Sequence, residues 1–219
     1  MKKDNYANQA QYNKNYSPRL FANPILERLS QTRPTTLLIG YVPIIGFFCI
    51  FALIQQTFIS ATVTFALGLL VWTLAEYLIH RFVFHYKPRA SKWEKINPLF
   101  YGNFIHNIHH TYPRDKLRLV TPLVVTMPLA ALFYLVFWLV FRSYSAALFA
   151  GFLTGYVLYD VLHAFTHIYP MSSRIGKFLK YYHMRHHYHM DEKSFGVSSP
   201  IWDYVFRTVD TTPLKKARH

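Results

Sequence analysis

Residues 35–79 have the sequence TTLLIGYVPIIGFFCIFALIQQTFISATVTFALGLLVWTLAEYLI, and this stretch decides the fold class. Its two apolar runs, 35–54 and 57–79, are separated only by Gln55 and Gln56, and Glu76 is the one charged residue in the whole stretch. Each run is long enough to cross the hydrocarbon core of a bilayer as a helix. Two spans joined by so short a link predict a transmembrane helical hairpin.

A second pair of apolar runs covers residues 120–141 and 144–168, with only Arg142 and Ser143 between them. Four runs of this length in two tight pairs favour a membrane protein over a soluble helical one. Prolines within the runs do not oppose this, because membrane helices tolerate them. The prediction is an all-α integral membrane protein with four transmembrane helices in two hairpins. The predicted domain covers residues 35–208, between an N-terminal segment, 1–34, and a basic tail, 209–219.

The polar segments 1–34, 80–119 and 169–219 must lie on one side of such a bundle. They hold 23 of the 24 Lys and Arg residues, and the exception is Arg142 in a far-side link. The positive-inside bias then predicts that they are cytoplasmic. This places the chain in the inner membrane if it is bacterial and in the endoplasmic reticulum if it is eukaryotic. The net charge of +14 is explained by topology and anionic membrane lipids, so no nucleic-acid partner is predicted.

Twelve histidines all fall on the predicted cytoplasmic side or at the cytoplasmic end of a span. HNIHH at 106–110 and HMRHH at 183–187 share the pattern H-x-x-H-H, which on a helix brings the first imidazole beside the other two. Chance would supply this pattern about 0.04 times in such a chain, so two copies indicate a metal site. The single cysteine, Cys49, rules out an intrachain disulfide and a zinc site with several cysteines.

Two further histidine pairs lie at span ends. HAFTH at 163–167 has the i, i+4 spacing of one helix face, whereas HRFVFH at 80–85 has a five-residue step, about 140° on an ideal helix. The latter pair would serve two different metals or straddle a helix end. Ten clustered imidazoles repel one another when protonated, and metal binding selects the neutral form. Ten ligands exceed the needs of one ion, so the prediction is two metals.

Several polar residues near these histidines are candidates for supporting roles. Glu76 is four residues before His80 and Asp160 is three before His163, so each carboxylate could accept from the outer N–H of a ligand ring. Pairing with Arg81 is the alternative for Glu76. Hydroxyl and amide groups could contact substrate or bound oxygen, although tyrosines are ordinary at membrane interfaces. These candidates are Asn103, Tyr156, Tyr159 and Tyr182.

The segments HRFVFH, HNIHHTYPRDKLRLVTP, DVLHAFTH, YHMRHHY and FGVSSPIWDYVF resemble the fatty acid hydroxylase superfamily of membrane oxygenases, most closely its sphingolipid fatty acid 2-hydroxylase branch. The resemblance runs from about residue 72 to 208. It implies a four-span bundle whose cytoplasmic helical cap, 80–119 and 169–208, holds a histidine-ligated dinuclear metal site. The implied ligands are His80, His85, His106, His109, His110, His163, His167, His183, His186 and His187.

This sequence departs from the branch at three positions. Asn107 stands where the branch usually has glycine, Ala164 where it has tyrosine, and Ile168 where it has a further histidine. None of these changes removes an implied ligand, but Ala164 and Ile168 could alter the pocket and with it the choice of substrate. His189 falls outside the H-x-x-H-H frame and is predicted to be a surface residue.

The resemblance implies O2-dependent hydroxylation of a fatty acid, or of the acyl chain of a sphingolipid or ceramide, at the carbon next to the carbonyl. The implied cofactors are two iron ions, which zinc can replace in purified protein, with O2 as co-substrate. The cytochrome b5 domain that precedes this domain in yeast and animal relatives is not found, so a separate cytochrome b5-like or ferredoxin-like protein is expected to supply electrons. The basic surface would suit an acidic redox partner.

Three alternatives remain open from the sequence. The same metal arrangement could desaturate a lipid, or hydroxylate a sterol or carotenoid. A metal transporter would place ionisable residues along a path through the membrane, and the span interiors hold none. A zinc hydrolase acting on lipids would need a carboxylate base such as Asp160 and would work without oxygen.

Overall fold

The computed structural model describes residues 17–87 and 98–212, and in these ranges every regular element is helical. A π-helical turn, His80–Phe84, follows the third helix, and a 3-10 turn, Arg142–Tyr144, links the fifth and sixth. The α-helices are α1 Pro24–Leu29, α2 Pro34–Gln55, α3 Phe58–Ile79, α4 Pro98–Thr111, α5 Leu123–Phe141, α6 Ser145–Ile168, α7 Arg174–Tyr188 and α8 Ile201–Val205. The prediction of an all-helical fold is confirmed.

Three stretches are long and apolar enough to cross a membrane, namely Pro34–Gln55, Phe58–Phe84 and Leu123–Ile168. Large apolar side chains point outwards along them; Ile39 on α2 and Ile59 on α3 are 77% and 76% exposed. Apolar surface on this scale would aggregate in water. It is suited to contact with lipid tails.

The third apolar stretch contains 46 residues, which as one straight helix would extend about 69 Å, more than twice the thickness of a hydrocarbon core. The chain instead turns back at Arg142, whose φ of 48° ends α5. Phe133 on α5 then packs on Phe152 of α6 with ring centroids 4.8 Å apart. The two helices therefore form a hairpin, as the sequence predicted.

Helix α5 begins at Leu123, three residues later than the predicted start at residue 120. Pro122 occupies the position before the first helical residue, and the backbone N–H of Thr121 donates to Asp160 on α6 instead of joining a helix. The predicted span wrongly included residues 120–122, because apolar composition does not reveal that the Thr121 backbone is bonded to another helix.

Helix α6 is the central helix, because most of its side chains are buried and it packs against α3, α2 and α5. Its approach to α3 is closest at Gly151 and Gly68. A Cβ atom at Gly151 would lie 2.0 Å from the carbonyl oxygen of Phe65, and one at Gly68 would lie 2.1 Å from that of Leu148. The backbones of α3 and α6 therefore touch at this point, and only glycine fits there.

The polar segments pack together at the end of α3 and α6 that carries histidines. Before α2, Glu27 and Ser17 bond Arg118, which also pairs with Asp115 at 3.0 Å. After α8, Asp210 pairs with Arg185 of α7 at 2.6 Å. The start of the predicted tail is thus bound to α7, whereas residues 1–16 and 213–219 of the two predicted terminal segments lie outside the described residues.

Candidate metal centre

Ten histidines form two compact groups, and these are the ten implied by the resemblance. Within each group the potential ligand nitrogens all lie within 4.8 Å of one another. We call the first cluster the set His80, His85, His106, His110 and His186. We call the second cluster the set His109, His163, His167, His183 and His187. The helices and the π-helical turn thus bring residues more than a hundred positions apart into one layer.

Each H-x-x-H-H motif contributes to both clusters. On α4, His106 and His110 join the first cluster while His109 joins the second. On α7 the assignment is reversed, with His183 and His187 in the second cluster and His186 in the first. Residues at i and i+4 share one helix face, whereas the residue at i+3 lies to the side of it. One turn of helix can therefore supply two neighbouring metal positions.

The five-residue step from His80 to His85 is accommodated by the π-helical turn. The backbone N–H of His85 donates to the carbonyl of His80 at 3.1 Å, which is the i to i+5 bond of a π-helix. This wider turn brings both rings into the first cluster. The histidines therefore straddle the end of α3, one of the two predicted alternatives, and are not divided between the two clusters.

Backbone carbonyls orient two rings of the first cluster. His80 Nδ1 contacts the carbonyl of Phe195, and His186 Nδ1 lies 2.8 Å from the carbonyl of Lys193. A ring that donates from Nδ1 to a carbonyl leaves its Nε2 lone pair free for a metal. The segment after α7 therefore fixes the tautomer of both histidines.

Two buried carboxylates hold this segment in place. Asp203 on α8 accepts from the backbone N–H groups of Phe195 and Gly196 at 2.9 and 2.7 Å. Glu76 accepts from those of Val197 and Ser198 at 2.7 and 2.9 Å. Glu76 was predicted to bond a ligand ring directly, or to pair with Arg81. Its observed partners are instead these two N–H groups and the hydroxyl of Ser198, so Glu76 acts on His80 through the loop that carries the Phe195 carbonyl.

Asp160 has an equivalent indirect role beside the second cluster. Its carboxylate accepts from the backbone N–H of Thr121 at 3.3 Å, and the backbone of Leu119, two residues earlier, makes a hydrogen bond with His163. The prediction that Asp160 bonds a ligand ring is therefore corrected in the same way. In each case a carboxylate one helical turn before the histidine holds a loop, and the loop contacts the ring.

Burial keeps the imidazoles neutral. It lowers the pKa of His85 to about 3, with His186 adding to the effect, and it lowers the pKa of His186 to about 4. The pKa values of His106, His109 and His183 also lie well below the usual range because of burial and then neighbouring histidines. Neutral imidazole is the form that binds metals.

The nitrogen positions fit metal ions. Nε2 of His106 lies 3.2, 3.0 and 2.9 Å from Nε2 of His80, His85 and His110. A ring nitrogen carries at most one proton, so hydrogen bonds cannot satisfy this many converging lone pairs. Ligands at right angles around a metal with bonds of about 2.0–2.1 Å lie about 3 Å apart. The first cluster has this spacing.

The second cluster has the same spacing. Nε2 of His109 lies 2.9 Å from that of His163 and 3.1 Å from that of His187, and His167 and His183 approach to 2.9 Å. The two clusters also touch each other. Rings of His110 and His187, one from each cluster, stack with centroids 4.0 Å apart. The donor set therefore suits two adjacent metal ions.

An apolar cavity of about 450 Å³ begins at the histidines. His106, His109 and His163 form part of its wall at one end. From there it extends between α3 and α5, along α6, as far as Phe133 and Phe152. Its lining is mostly aliphatic and aromatic, which suits an apolar ligand such as a hydrocarbon chain.

The other predicted site residues have different positions. Tyr156 and Tyr159 line the cavity, and the Tyr159 ring is parallel to that of His163 with centroids 5.9 Å apart. Asn103 donates to the carbonyl of Phe84 at 3.0 Å, next to His85, and is not part of the cavity wall. Tyr182 lies beside Ser194 and Asp203, also away from the cavity.

Residues outside the clusters also bear on the sequence predictions. His189 pairs with Asp210 at 2.8 Å and belongs to neither cluster. Ala164 and Ile168 do not line the cavity, so any effect of these departures on the pocket is indirect.

Sequence reasoning missed the residues that orient the first cluster. Asp203 is fully buried, and Phe195 and Lys193 act through their carbonyls, which composition does not reveal. One signal was present, because Asp203 is the only charged residue in the stretch FGVSSPIWDYVF. A single acid among apolar residues is buried only when its oxygens have partners.

Comparison with known proteins identifies relatives of this chain. Residues 65–208 match the fatty acid hydroxylase family. Dihydroceramide fatty acyl 2-hydroxylase FAH1 of Arabidopsis thaliana is 39% identical over 155 residues, which cover 67% of this chain and 60% of that protein. Ceramide very long chain fatty acid hydroxylase SCS7 of Saccharomyces cerevisiae is 38% identical over 226 residues, which cover 100% of this chain and 57% of that protein.

The chain thus spans less than two thirds of the length of these two relatives. A solved structure described as "Full length scs7p (only hydroxylase domain visible)" has a similar fold, with a TM-score of 0.82 and 35% sequence identity. The match covers 99% of this chain and 83% of that chain. The family match covers well over half of the sequence, and the chain belongs to the fatty acid hydroxylase family.

Proposed function

We propose that the chain is a fatty acyl 2-hydroxylase that inserts one oxygen atom from O2 at the carbon next to the carbonyl. The substrate is a fatty acid or the acyl chain of a sphingolipid or ceramide. The observation that carries the proposal is the apolar cavity that ends at two five-histidine clusters. The names of the relatives, a dihydroceramide fatty acyl 2-hydroxylase and a ceramide very long chain fatty acid hydroxylase, support the substrate class.

The metal ions in this proposal are two irons, one held by each cluster. Imidazole suits iron, copper, nickel and zinc, but five nitrogen donors exceed the four that zinc usually takes. Iron in such a site supplies the activation of O2 that hydroxylation of an unactivated C–H bond requires. Zinc can occupy the same ligands in purified protein without supporting this chemistry.

The chain's own residues position the substrate and exclude water. The wall from Val125 to Phe133 on α5 and the facing residues of α6 enclose the hydrocarbon chain. Tyr159, lying flat beside His163, limits the sideways movement of the carbons nearest the histidines. Glu76 and Asp203 hold the loop whose carbonyls keep His80 and His186 in the metal-binding tautomer.

The chain is an integral membrane protein, because it has helices long and apolar enough to cross a membrane and its fold matches that of the scs7p hydroxylase domain. We infer further that α2, α3, α5 and α6 each cross the bilayer once, because α5 and α6 fold back on each other within a 46-residue stretch. The histidine clusters then lie at the cytoplasmic surface with most of the basic residues. The compartment is the inner membrane of a bacterium or the endoplasmic reticulum of a eukaryote.

Hydroxylation with O2 needs two electrons from outside the site. We infer that a cytochrome b5-like or ferredoxin-like protein supplies them at the cytoplasmic face. Exposed basic residues near the clusters, among them Arg114 and Lys177, fit an acidic donor.

The alternatives are distinguished by product and oxygen dependence. Desaturation, or hydroxylation of a sterol or carotenoid, would give a different product from the same metals. Hydrolysis with Asp160 as base would proceed without O2, although Asp160 is bonded to the Thr121 backbone. Transport is disfavoured because Glu76 and Asp160, the acids within α2, α3, α5 and α6, both lie near the histidine end.

The experiment is expression in a host that lacks 2-hydroxy fatty acids, together with a competent electron donor. Lipids are profiled by mass spectrometry under air, without oxygen, and with ¹⁸O2. The expected result is new 2-hydroxyacyl lipid that carries ¹⁸O. If iron is confirmed in the protein and no such lipid forms, the proposal is wrong.

A further inference from the structure

The apolar cavity has an open part and a closed end. On the histidine side of Phe133, its wall includes Val125 and Leu129 of α5, which are 38% and 48% exposed. At the opposite end, Phe152 and Leu153 are 2% and 1% exposed. A lipid chain can therefore enter from the bilayer past these α5 side chains, and its tail then points towards the closed end.

Phe152 is the centre of the closed end. Its ring contacts those of Phe133 and Trp72, with centroids 4.8 and 5.1 Å away, and both of these residues also line the cavity. Phe137 packs behind it at 5.3 Å without lining the cavity. Three aromatic rings thus form a wall across the path of the tail, and a fourth supports it from behind.

The space between α3 and α6 is closed behind this wall. Gly151, next to Phe152, lies at the contact where a Cβ would meet the Phe65 carbonyl oxygen at 2.0 Å. The backbones of α3 and α6 therefore close the space between them immediately beyond the aromatic wall. Between His163 and Phe152 the helix rises about 16 Å, which is the length over which α6 forms the cavity floor.

Discrimination between chain lengths must come from this wall and not from hydrophobic attraction. A tail that leaves the bilayer for the cavity exchanges one apolar environment for another, so each added carbon gains little. A carbon that has no space, in contrast, causes overpacking, which disfavours binding by about tenfold or more. The position of the wall therefore determines the longest chain that places its second carbon at the histidines.

Building on the proposed function, we propose that Phe152, supported by Phe133, sets the upper limit of acyl chain length. The group recognised is the terminal methyl end of a saturated acyl chain. Removing the Phe152 ring deepens the cavity, and a larger ring at the same position shortens it.

The test compares Phe152→Ala with Phe149→Ala on the same helix. Phe149 is also buried, 3% exposed, and packs among the rings of Phe48 and Tyr134, but it does not line the cavity. The two variants lose the same side-chain volume from neighbouring turns. Each protein receives an equimolar mixture of acyl chains of increasing length, and the hydroxylated products are measured by mass spectrometry.

We expect Phe152→Ala to raise the ratio of longest to shortest product by about tenfold over the unsubstituted protein, because overpacking is relieved. Phe152→Trp should lower the ratio, and Phe149→Ala should leave it unchanged. If the Phe152→Ala protein is active but its products have the same chain-length distribution as those of Phe149→Ala, the inference is overturned. If Phe152→Ala does not fold, Phe152→Leu gives the same comparison with a smaller volume change.

A second measurement does not depend on turnover. An acyl lipid that carries a photoreactive diazirine at its terminal carbon is bound and irradiated, and the labelled peptides are identified. Labelling at Phe133 or Phe152, shifted in Phe152→Trp, supports the inference even if hydroxylation is absent and the proposed function fails. Labelling confined to other positions overturns it.

Discussion

The two histidine clusters contain five imidazoles each, but different structures hold them. In the second cluster, His163 with His167 and His183 with His187 are i, i+4 pairs on the regular helices α6 and α7. The first cluster instead needs the π-helical turn after α3 and the loop carbonyls of Lys193 and Phe195. Regular helices thus supply every histidine of the second cluster, with one loop contact from Leu119 to His163, whereas the first cluster also needs a π-helical turn and two loop carbonyls.

The largest effect is expected from removing a ligand from either cluster. His186→Ala affects the first cluster and His183→Ala the second, and both side chains are almost fully buried. Each change should lower metal content from two ions to one or fewer and reduce product more than about a hundredfold, because a missing ligand affects metal binding at least as much as a missing supporting residue. Metal analysis and lipid profiling measure the two quantities.

The matched control is His189→Ala, in the same sequence stretch but bonded to Asp210. It should keep both metals and full product. A His186→Ala protein with two metals and normal product would show that the first cluster is not a metal site.

A smaller effect, confined to the first cluster, is expected from Asp203→Asn. The amide can accept only at one oxygen, so one of the N–H groups of Phe195 and Gly196 loses its partner and the Phe195 carbonyl no longer holds His80 firmly. Metal affinity of the first cluster should fall by about 10–100-fold. Titration with a competing chelator should then remove one weakly bound ion before one tightly bound ion.

Asp210→Asn provides the control for this change, since Asp210 is also buried beside α7 but bonds Arg185 and His189. Its chelator titration should match that of the unsubstituted protein. Equal weakening of both ions in Asp203→Asn would mean that the loop does not act selectively on the first cluster.

Acid should destabilise the metal-free protein, and both clusters should contribute. Burial lowers the pKa of His110 to about 2, with His186 adding to the effect, and burial also lowers the pKa of His187. In the unfolded chain these histidines have the ordinary pKa of about 6.5. The unfolded state therefore binds more protons below that pH, so the free energy of unfolding should decrease as pH falls from about 6.5 towards 4.

Thermal unfolding of the chelator-treated protein across this range measures the effect. An unfolding temperature that is constant or rises on acidification would contradict neutral, buried imidazoles.

The smallest effect concerns an ion pair at the rim of the first cluster. Lys87 and Glu192 bond each other, but their side chains are 79% and 64% exposed. Exposed pairs contribute little to stability. Glu192→Ala should leave the unfolding temperature and both metal affinities unchanged within error. A loss of metal would instead show that this exposed ion pair helps to hold the first cluster.

Much of the fold could be predicted because the relevant signals are local. The apolar runs determine the long helices, and the short link at Arg142 predicts the second hairpin. Helical spacing also explains why His163 and His167 share a cluster. The start of α5 was less predictable, because the backbone of Thr121 bonds a residue 39 positions away.

The site was less predictable where backbone groups make the contacts. The five-residue step at His80 left two arrangements open, and only the π-helical turn decides between them. Glu76 has the correct spacing to reach His80, but the N–H groups of Val197 and Ser198 are better partners for a buried carboxylate. Such partners come from distant segments, and residue types do not identify them.

The glycine contact between α3 and α6 has a consequence for the distance between the two histidine clusters. Gly68 lies twelve residues before His80, and Gly151 lies twelve residues before His163. The helices therefore act as two lever arms of equal length, about 18 Å each, that meet at this contact and carry one histidine of each cluster at their ends. A side chain at this contact would change the angle between α3 and α6, so two glycines about 18 Å from the histidines help to fix the spacing of the two clusters.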